Sequence, residues 1–330
     1  FQAWVAGGQV GLPPDLTPLL AVAQPNEGWA AWTLAPFSPR PNVLETLDDD
    51  QVTGNLKATW YMNDSMMTYA SYSTGFKAGG TNTDRIFVLF DTVFQAETSK
   101  SFEIGFKGDI GDRFRLSAAL YQTDFEDFQA NSFTGTGFNL QNAGDLEVKG
   151  IEVEWTWALF DNTDITGYYA HNEGEFVSFL QGTCWDATPF HIPAPVSVIE
   201  EQDPVTLTCN RSGEAIPYNP EERFNVGLNQ TFPMGNNEAF FRLEYSFLSD
   251  QMTDGDNDPL TMQDDFSILN LRLGMNIDEW NSTITLWGRN VTDERYYSGS
   301  YDPPLLDTGR MNSYPSEPAT YGITFRKNWD

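Results

Sequence analysis

Residues 146–157 read Leu-Glu-Val-Lys-Gly-Ile-Glu-Val-Glu-Trp-Thr-Trp. From Lys149 onward Ile151, Val153, Trp155 and Trp157 alternate with Glu152, Glu154 and Thr156. A period of two puts successive side chains on opposite faces of a β-strand, whereas a helix returns to one face every three to four residues. One face of this strand is bulky and apolar and the other carries carboxylates. Two environments suit that pattern: a soluble sheet with one wet face, or a membrane barrel with lipid outside and water inside.

Composition narrows the choice. The chain has 330 residues, 40% of them hydrophobic, with a mean hydropathy of −0.41. No run approaches the roughly 20 apolar residues that a membrane helix needs. That excludes a helical membrane protein but not a barrel, because half of every barrel strand is polar. Aromatics make up 14%, and 47 acidic against 18 basic residues give a net charge of −29. Such a surface repels a phosphate backbone, so nucleic acid is not an expected partner. Phe1 is not an initiator residue and no charged-then-apolar leader follows it, so a processed chain or a fragment is expected.

Residues 1–50 are broken by prolines, among them Pro13, Pro14, Pro25, Pro36, Pro39 and Pro41, and end in Asp48-Asp49-Asp50. They read as an irregular segment with one short strand near Phe1–Val5. From residue 51 the pattern predicts strands at about 51–61, 66–75, 98–109, 114–133, 146–157, 164–177, 221–232, 238–249, 265–276 and 281–290, and a last strand in the terminal Tyr-Gly-Ile-Thr-Phe-Arg-Lys-Asn-Trp-Asp. Tight turns at 62–65, 110–113, 160–163, 233–237 and 277–280 alternate with longer loops. A soluble sandwich has no reason to keep all its long loops at one end, whereas an outer-membrane barrel has short periplasmic turns and long extracellular loops. The expected fold is all-β: an antiparallel transmembrane β-barrel, or a partial barrel of 11–12 strands, about half of a large one.

Five blocks then carry a resemblance. They are TYASYSTGFKAGG (68–80), SFEIGFKGDIGDRFRLSAALYQTDFEDFQ (101–129), NAGDLEVKGIEVEW (142–155), LWGRNVTDERYY (286–297) and YGITFRKNW (321–329). In order and spacing they resemble the C-terminal barrel of TonB-dependent outer-membrane receptors. The resemblance implies a 22-stranded barrel with a plugged lumen, in the outer membrane of a Gram-negative bacterium. It also implies import of a scarce ligand, an iron–siderophore complex or similar nutrient, with energy from the TonB complex. The implied partners are outer-membrane lipid, the barrel assembly machinery, a small-molecule metal chelate, and TonB through a plug domain. Residues 51–330 correspond to the C-terminal strands; no plug is visible ahead of them, so a truncated product or partial gene is expected. The final Asp330 departs from a family that usually ends on an aromatic residue. Trp329 lies one position inside, and Tyr321, Ile323, Phe325 and Trp329 are taken as the membrane-assembly signal.

The remaining candidates are weighed residue by residue. Cys184 and Cys209 fall in one long loop on the extracellular side and are expected to form a disulfide closing a 26-residue ring. Asp254, Asp256 and Asp258 offer oxygen ligands at calcium-like spacing, but Asp264 and Asp265 stand where a bidentate Glu is needed, so an acidic solvated turn is the stronger reading. His171 and His191 have no second nitrogen ligand at zinc spacing. No nucleophile arrangement appears, so neither catalysis nor a cofactor is expected. Arg223, Arg242, Glu244, Arg272, Arg289 and Arg326, with Lys57, Glu103, Lys107, Arg115, Glu152 and Glu154, occupy the polar strand faces and are expected to line the lumen. Trp60, Trp155, Trp157, Trp280 and Trp329 read as an interfacial girdle, and Trp287, which alternates with Leu286, as facing inward. No ligand-binding residue is named by the sequence. The alternatives are a passive porin-like barrel and, from another class, a secreted all-β binding module.

Overall fold

The structure is a computed structural model that describes residues 44–82, 91–133, 138–185, 209–301 and 311–329. The strand proposed near Phe1–Val5 and the residue His191 lie outside them. Eleven long strands form one antiparallel sheet in which every strand pairs with its neighbour in sequence. They are β1 (Gly54–Asn63), β2 (Met66–Lys77), β3 (Glu97–Ile110), β4 (Phe114–Glu126), β5 (Leu146–Phe160) and β6 (Thr163–Phe176). The last five are β7 (Glu222–Met234), β8 (Asn237–Leu248), β9 (Phe266–Ile277), β10 (Ser282–Arg289) and β11 (Thr320–Lys327). The sheet is not closed on itself. Short turns join β1–β2, β3–β4, β5–β6, β7–β8 and β9–β10, and the longer connections all lie at the opposite end.

Register fixes the two faces, because directly paired residues share one. Ile104, Leu120 and Ile151 form a row across β3, β4 and β5. Leu273, Leu286 and Ile323 form another across β9, β10 and β11. Leu120 is 53% and Leu273, also on an interior strand, 52% exposed, as the core side chains of a soluble sheet would not be. The aromatic chain Trp155–Phe224–Tyr245 lies on the same face, with centroids 6.4 and 6.3 Å apart. Trp60, Trp155, Trp157 and Trp280 gather near the short-turn end, as an interfacial girdle does. This apolar band is what a barrel presents to lipid, where strands must satisfy their backbone polar groups by pairing.

Large aromatics are accommodated by glycines directly across the ladder. Trp155 lies against Gly167, Tyr69 against Gly105, Phe240 against Gly274 and Trp287 against Gly322, and a Cβ on any of these glycines collides with the ring. The rings cover the exposed backbone of the glycine and hold the register.

Two expectations need correction, both at strand boundaries. The strand predicted over 114–133 ends at Glu126, because Asp127 adopts a left-handed φ of 55°. The chain there leaves the sheet, and Gln129–Phe133 pairs with Phe138–Asn142 as a separate two-stranded arm. The first strand begins at Gly54 rather than 51. Trp329 lies beyond β11, and Lys327 interrupts the apolar alternation before it, donating to the Trp280 carbonyl at 2.7 Å. Tyr321, Ile323 and Phe325 do share the lipid-side face.

Candidate functional site: the luminal face and the long loops

The polar face gathers the charged residues predicted for it. Arg242 pairs directly with Arg272, Glu244 with Asn270, and Arg326 with Thr283, and Arg223 and Arg289 fall on the same side by register. Glu103, Glu152 and Glu154 face the same way from β3 and β5, as do Lys57, Lys107 and Arg115. Trp287 lies on this side too, donating its indole N–H to Thr324 at 3.1 Å and carrying the Arg289 guanidinium 5.4 Å from its centroid. The charges are sorted along the sheet. Carboxylates predominate over β3–β6, with Glu103, Asp109, Glu152, Glu154 and Asp164. Arginines predominate over β7–β11, with Arg223, Arg242, Arg272, Arg289 and Arg326. Near the start of the sheet the Lys57 ammonium stands 4.0 Å over the Tyr69 ring, and the Tyr69 hydroxyl donates to Glu103. Sequence reasoning did not single out Tyr69; its parity with Lys57 and Glu103 across paired strands was the available signal.

At the long-loop end the connections pack on one another. Ala143, Leu146, Phe176 and Phe179 form a small buried core there, with Phe125, Phe128 and Ile216 against it. The predicted disulfide is formed, with Cys184 and Cys209 Cα atoms 5.2 Å apart. Arg211, two residues on, is almost wholly buried and donates to the Thr183 carbonyl and to Glu214. No sequence pattern marks Arg211, whose role depends on contacts between distant parts of the loop.

The aspartate run is a tightly wound turn. Asp254 accepts from Gly255 N–H at 2.6 Å and Asp256 from Asp258 N–H at 3.1 Å. Asp258 caps the short 3₁₀ turn Pro259–Thr261 by accepting from Leu260 N–H at 2.7 Å. Side-chain carboxylates used in this way close Asx turns and helix starts. Among the described residues no group of three or more His, Cys, Asp or Glu side chains is placed to hold a metal ion. Burial, reinforced by Asp254 and Asp258 and opposed by the Asp258 N–H and Arg211, pushes the Asp256 carboxyl up to about 7. Asn257 ties this turn to the cysteine loop, donating to Glu214 at 2.9 Å and to the Ala215 carbonyl at 3.0 Å. His171 lies on β6, 3.2 Å from Glu173.

The block GRNVTDERYY has a structural reason of its own. Asn290, buried and left-handed at φ 47°, accepts from Glu294 N–H at 2.9 Å and donates to the carbonyls of Glu294 and Glu317. Asp293 accepts from Ala319 N–H and from Arg295, and these bonds hold its carboxyl below the usual carboxylate range. The two residues staple the start of the last long loop to its return.

Residues 34–291 match the family described as TonB dependent receptor-like, beta-barrel. The chain belongs to the TonB-dependent receptor family. Among curated proteins it is 25% identical over 256 residues to the pesticin receptors of Yersinia pestis and Yersinia enterocolitica, a match covering 77% of this chain and 33% of theirs. It therefore spans about a third of the length of the curated relatives it matches. Among solved structures, the ferric yersiniabactin uptake receptor FyuA of Yersinia pestis superimposes with a TM-score of 0.66 at 21% identity, over 86% of this chain and 38% of that one. The ferripyoverdine receptor of Pseudomonas aeruginosa superimposes with a TM-score of 0.56 at 15% identity, over 83% and 32%. These likenesses show the fold, part of a TonB-dependent barrel, and the family that the chain belongs to is one of the Gram-negative outer membrane.

Proposed function

We propose that this chain forms an arc of the wall and several extracellular loops of a receptor that imports a scarce small molecule, a ferric siderophore or similar metal chelate, with energy from TonB. The observation that carries this reading is the family match over residues 34–291, which falls on a sheet with a lipid-side band, a charged inner face and all its long loops at one end. An open sheet edge in lipid leaves unpaired backbone groups, at several kcal/mol each. On this reading the remaining strands, and the domain that fills the lumen and meets TonB, belong to polypeptide outside these eleven strands, while residues 51–330 are the C-terminal barrel portion.

The test is uptake of ⁵⁵Fe-labelled chelates, including ferric yersiniabactin and ferric pyoverdine, by the source bacterium with and without the complete gene and with and without TonB. Loss of uptake of one chelate in both deletions supports the proposal. Uptake that needs the gene but not TonB, with ion conductance of the purified protein in a planar bilayer, supports a passive barrel instead.

A further inference from the structure

The five long connections, 78–96, 127–145, 177–221, 249–265 and 290–319, do not stand apart from one another. In their described residues each is bonded to the next. Between the first and the second, the Asn82 side chain behaves like a strand residue, accepting from the Leu140 N–H at 2.9 Å and donating to the Leu140 carbonyl at 2.8 Å. Gln129 donates across the same seam to the carbonyls of Ala78 and Gln95, at 2.9 and 3.0 Å. Both amides are buried. Between the second and the third, Asp145 and Ser178 exchange backbone bonds of 3.0 and 3.1 Å beside the core that Ala143 and Leu146 share with Phe176 and Phe179. Gly144, at φ 101°, permits that approach, because a Cβ there collides with the Ser178 carbonyl.

The chain of seams continues to the end of the sheet. Tyr218 N–H donates to the Met252 carbonyl at 2.9 Å, and Asn257 adds its two bonds to Glu214 and Ala215, joining the third connection to the fourth. Ser300 N–H donates to the Thr253 carbonyl at 3.1 Å, and Tyr297 N–H to the buried Gln263 side chain at 2.7 Å, joining the fourth to the fifth. At that last seam the Tyr296 ring stacks on Phe266 with centroids 4.0 Å apart. Independently mobile loops expose their backbone to water and share few bonds with their neighbours. Here each connection satisfies polar groups of the next, and parting a seam strands buried amides without partners.

We infer that the described parts of the five connections form one cooperative body, which opens and shifts as a unit, so that a force on one connection loads the rest. This stands on the contacts between the connections and not on the import reading or on the ligand imported.

The experiment is amide exchange read by mass spectrometry on the full-length receptor in non-ionic detergent, comparing wild type, Gln129→Ala and Asn257→Gly. Heat-modifiable migration confirms a folded barrel, and either variant alone decides the question. Glycine accepts the φ of 57° at residue 257, so Asn257→Gly removes the side-chain bonds without backbone strain. One cooperative body predicts exchange faster by about fivefold or more in connections that do not touch the altered residue. Gln129→Ala accelerates 297–301 and Asn257→Gly accelerates 129–133, while amides in the middle of β3–β9 keep their wild-type rates. Acceleration confined to the altered connection and its direct partner, or no acceleration, overturns the inference. Chelate uptake does not enter these readouts, so this inference and the import reading fail separately.

Discussion

Placing a charge on each side of one strand tests the assignment of faces. Leu120 and Ala119 are adjacent in the middle of β4, and Leu120 is flanked by Ile104 and Ile151 on the apolar face while Ala119 is flanked by Gly105 and Glu152 on the luminal one. Leu120 is six residues from either end of its strand, about 20 Å of chain at 3.3 Å per residue. That places it near the middle of the span. At the bilayer midplane such a substitution costs about 2–4 kcal/mol, a factor of roughly 30–900 in the folding equilibrium. Ala119→Arg puts the same charge on the polar face, with Glu152 directly across, and is expected to cost less than about 1 kcal/mol. Reversible guanidinium unfolding of the complete receptor in phosphocholine vesicles measures both. Equal costs, or a larger cost for Ala119→Arg, would refute the assignment.

Three further outcomes follow from particular contacts. Reducing or replacing the Cys184–Cys209 bridge, with a sequence separation of 25, releases a loop whose closure entropy corresponds to about 3.5 kcal/mol. Loop proteolysis in the Cys184→Ser, Cys209→Ser variant should accelerate while the heat-modifiable migration of the barrel stays unchanged, and unaltered proteolysis would count against a stabilising bridge. Asp256 keeps its proton in the fold up to about pH 7 but releases it near 3.8 when the segment opens, so local stability falls as pH rises between those values, by about 1.4 kcal/mol per unit. Amide exchange over 253–261, corrected for intrinsic rates, should slow on acidification from pH 7 to 5, and Asp256→Asn should remove that dependence. Replacing Gly322 with Val drives a side chain into the Trp287 ring. The expected loss is about 1–3 kcal/mol, accompanied by a shift in Trp287 fluorescence that Gly299→Val, with only a 3.8 Å contact, lacks.

What could be read from the sequence follows from what is local. Strand alternation and short turns are encoded within a dozen residues, so the eleven strands, the turn parity and the shared polar face of Arg223, Arg242, Glu244, Arg272, Arg289 and Arg326 were legible. The break at Asp127 was not, because residues 114–133 keep a strand-like composition and a single left-handed residue ends the pairing. The same holds for contacts made across loops. Arg211 and Asn257 acquire their roles only when the cysteine loop meets the aspartate turn. Pairing of Cys184 with Cys209 was accessible because the sequence has no other cysteine.

On this reading β5 stands with lipid on one side and the polar lumen on the other. The most direct measurement is a nitroxide scan of residues 149–157 in the complete receptor, reconstituted in bilayers, comparing relaxation by oxygen with relaxation by a water-soluble nickel chelate. Over the membrane-spanning part, positions 151, 153, 155 and 157 should be oxygen-accessible and 150, 152, 154 and 156 should not, with a period of two throughout. A scan without that alternation, or with lipid contact on the Glu152 and Glu154 side, would contradict it.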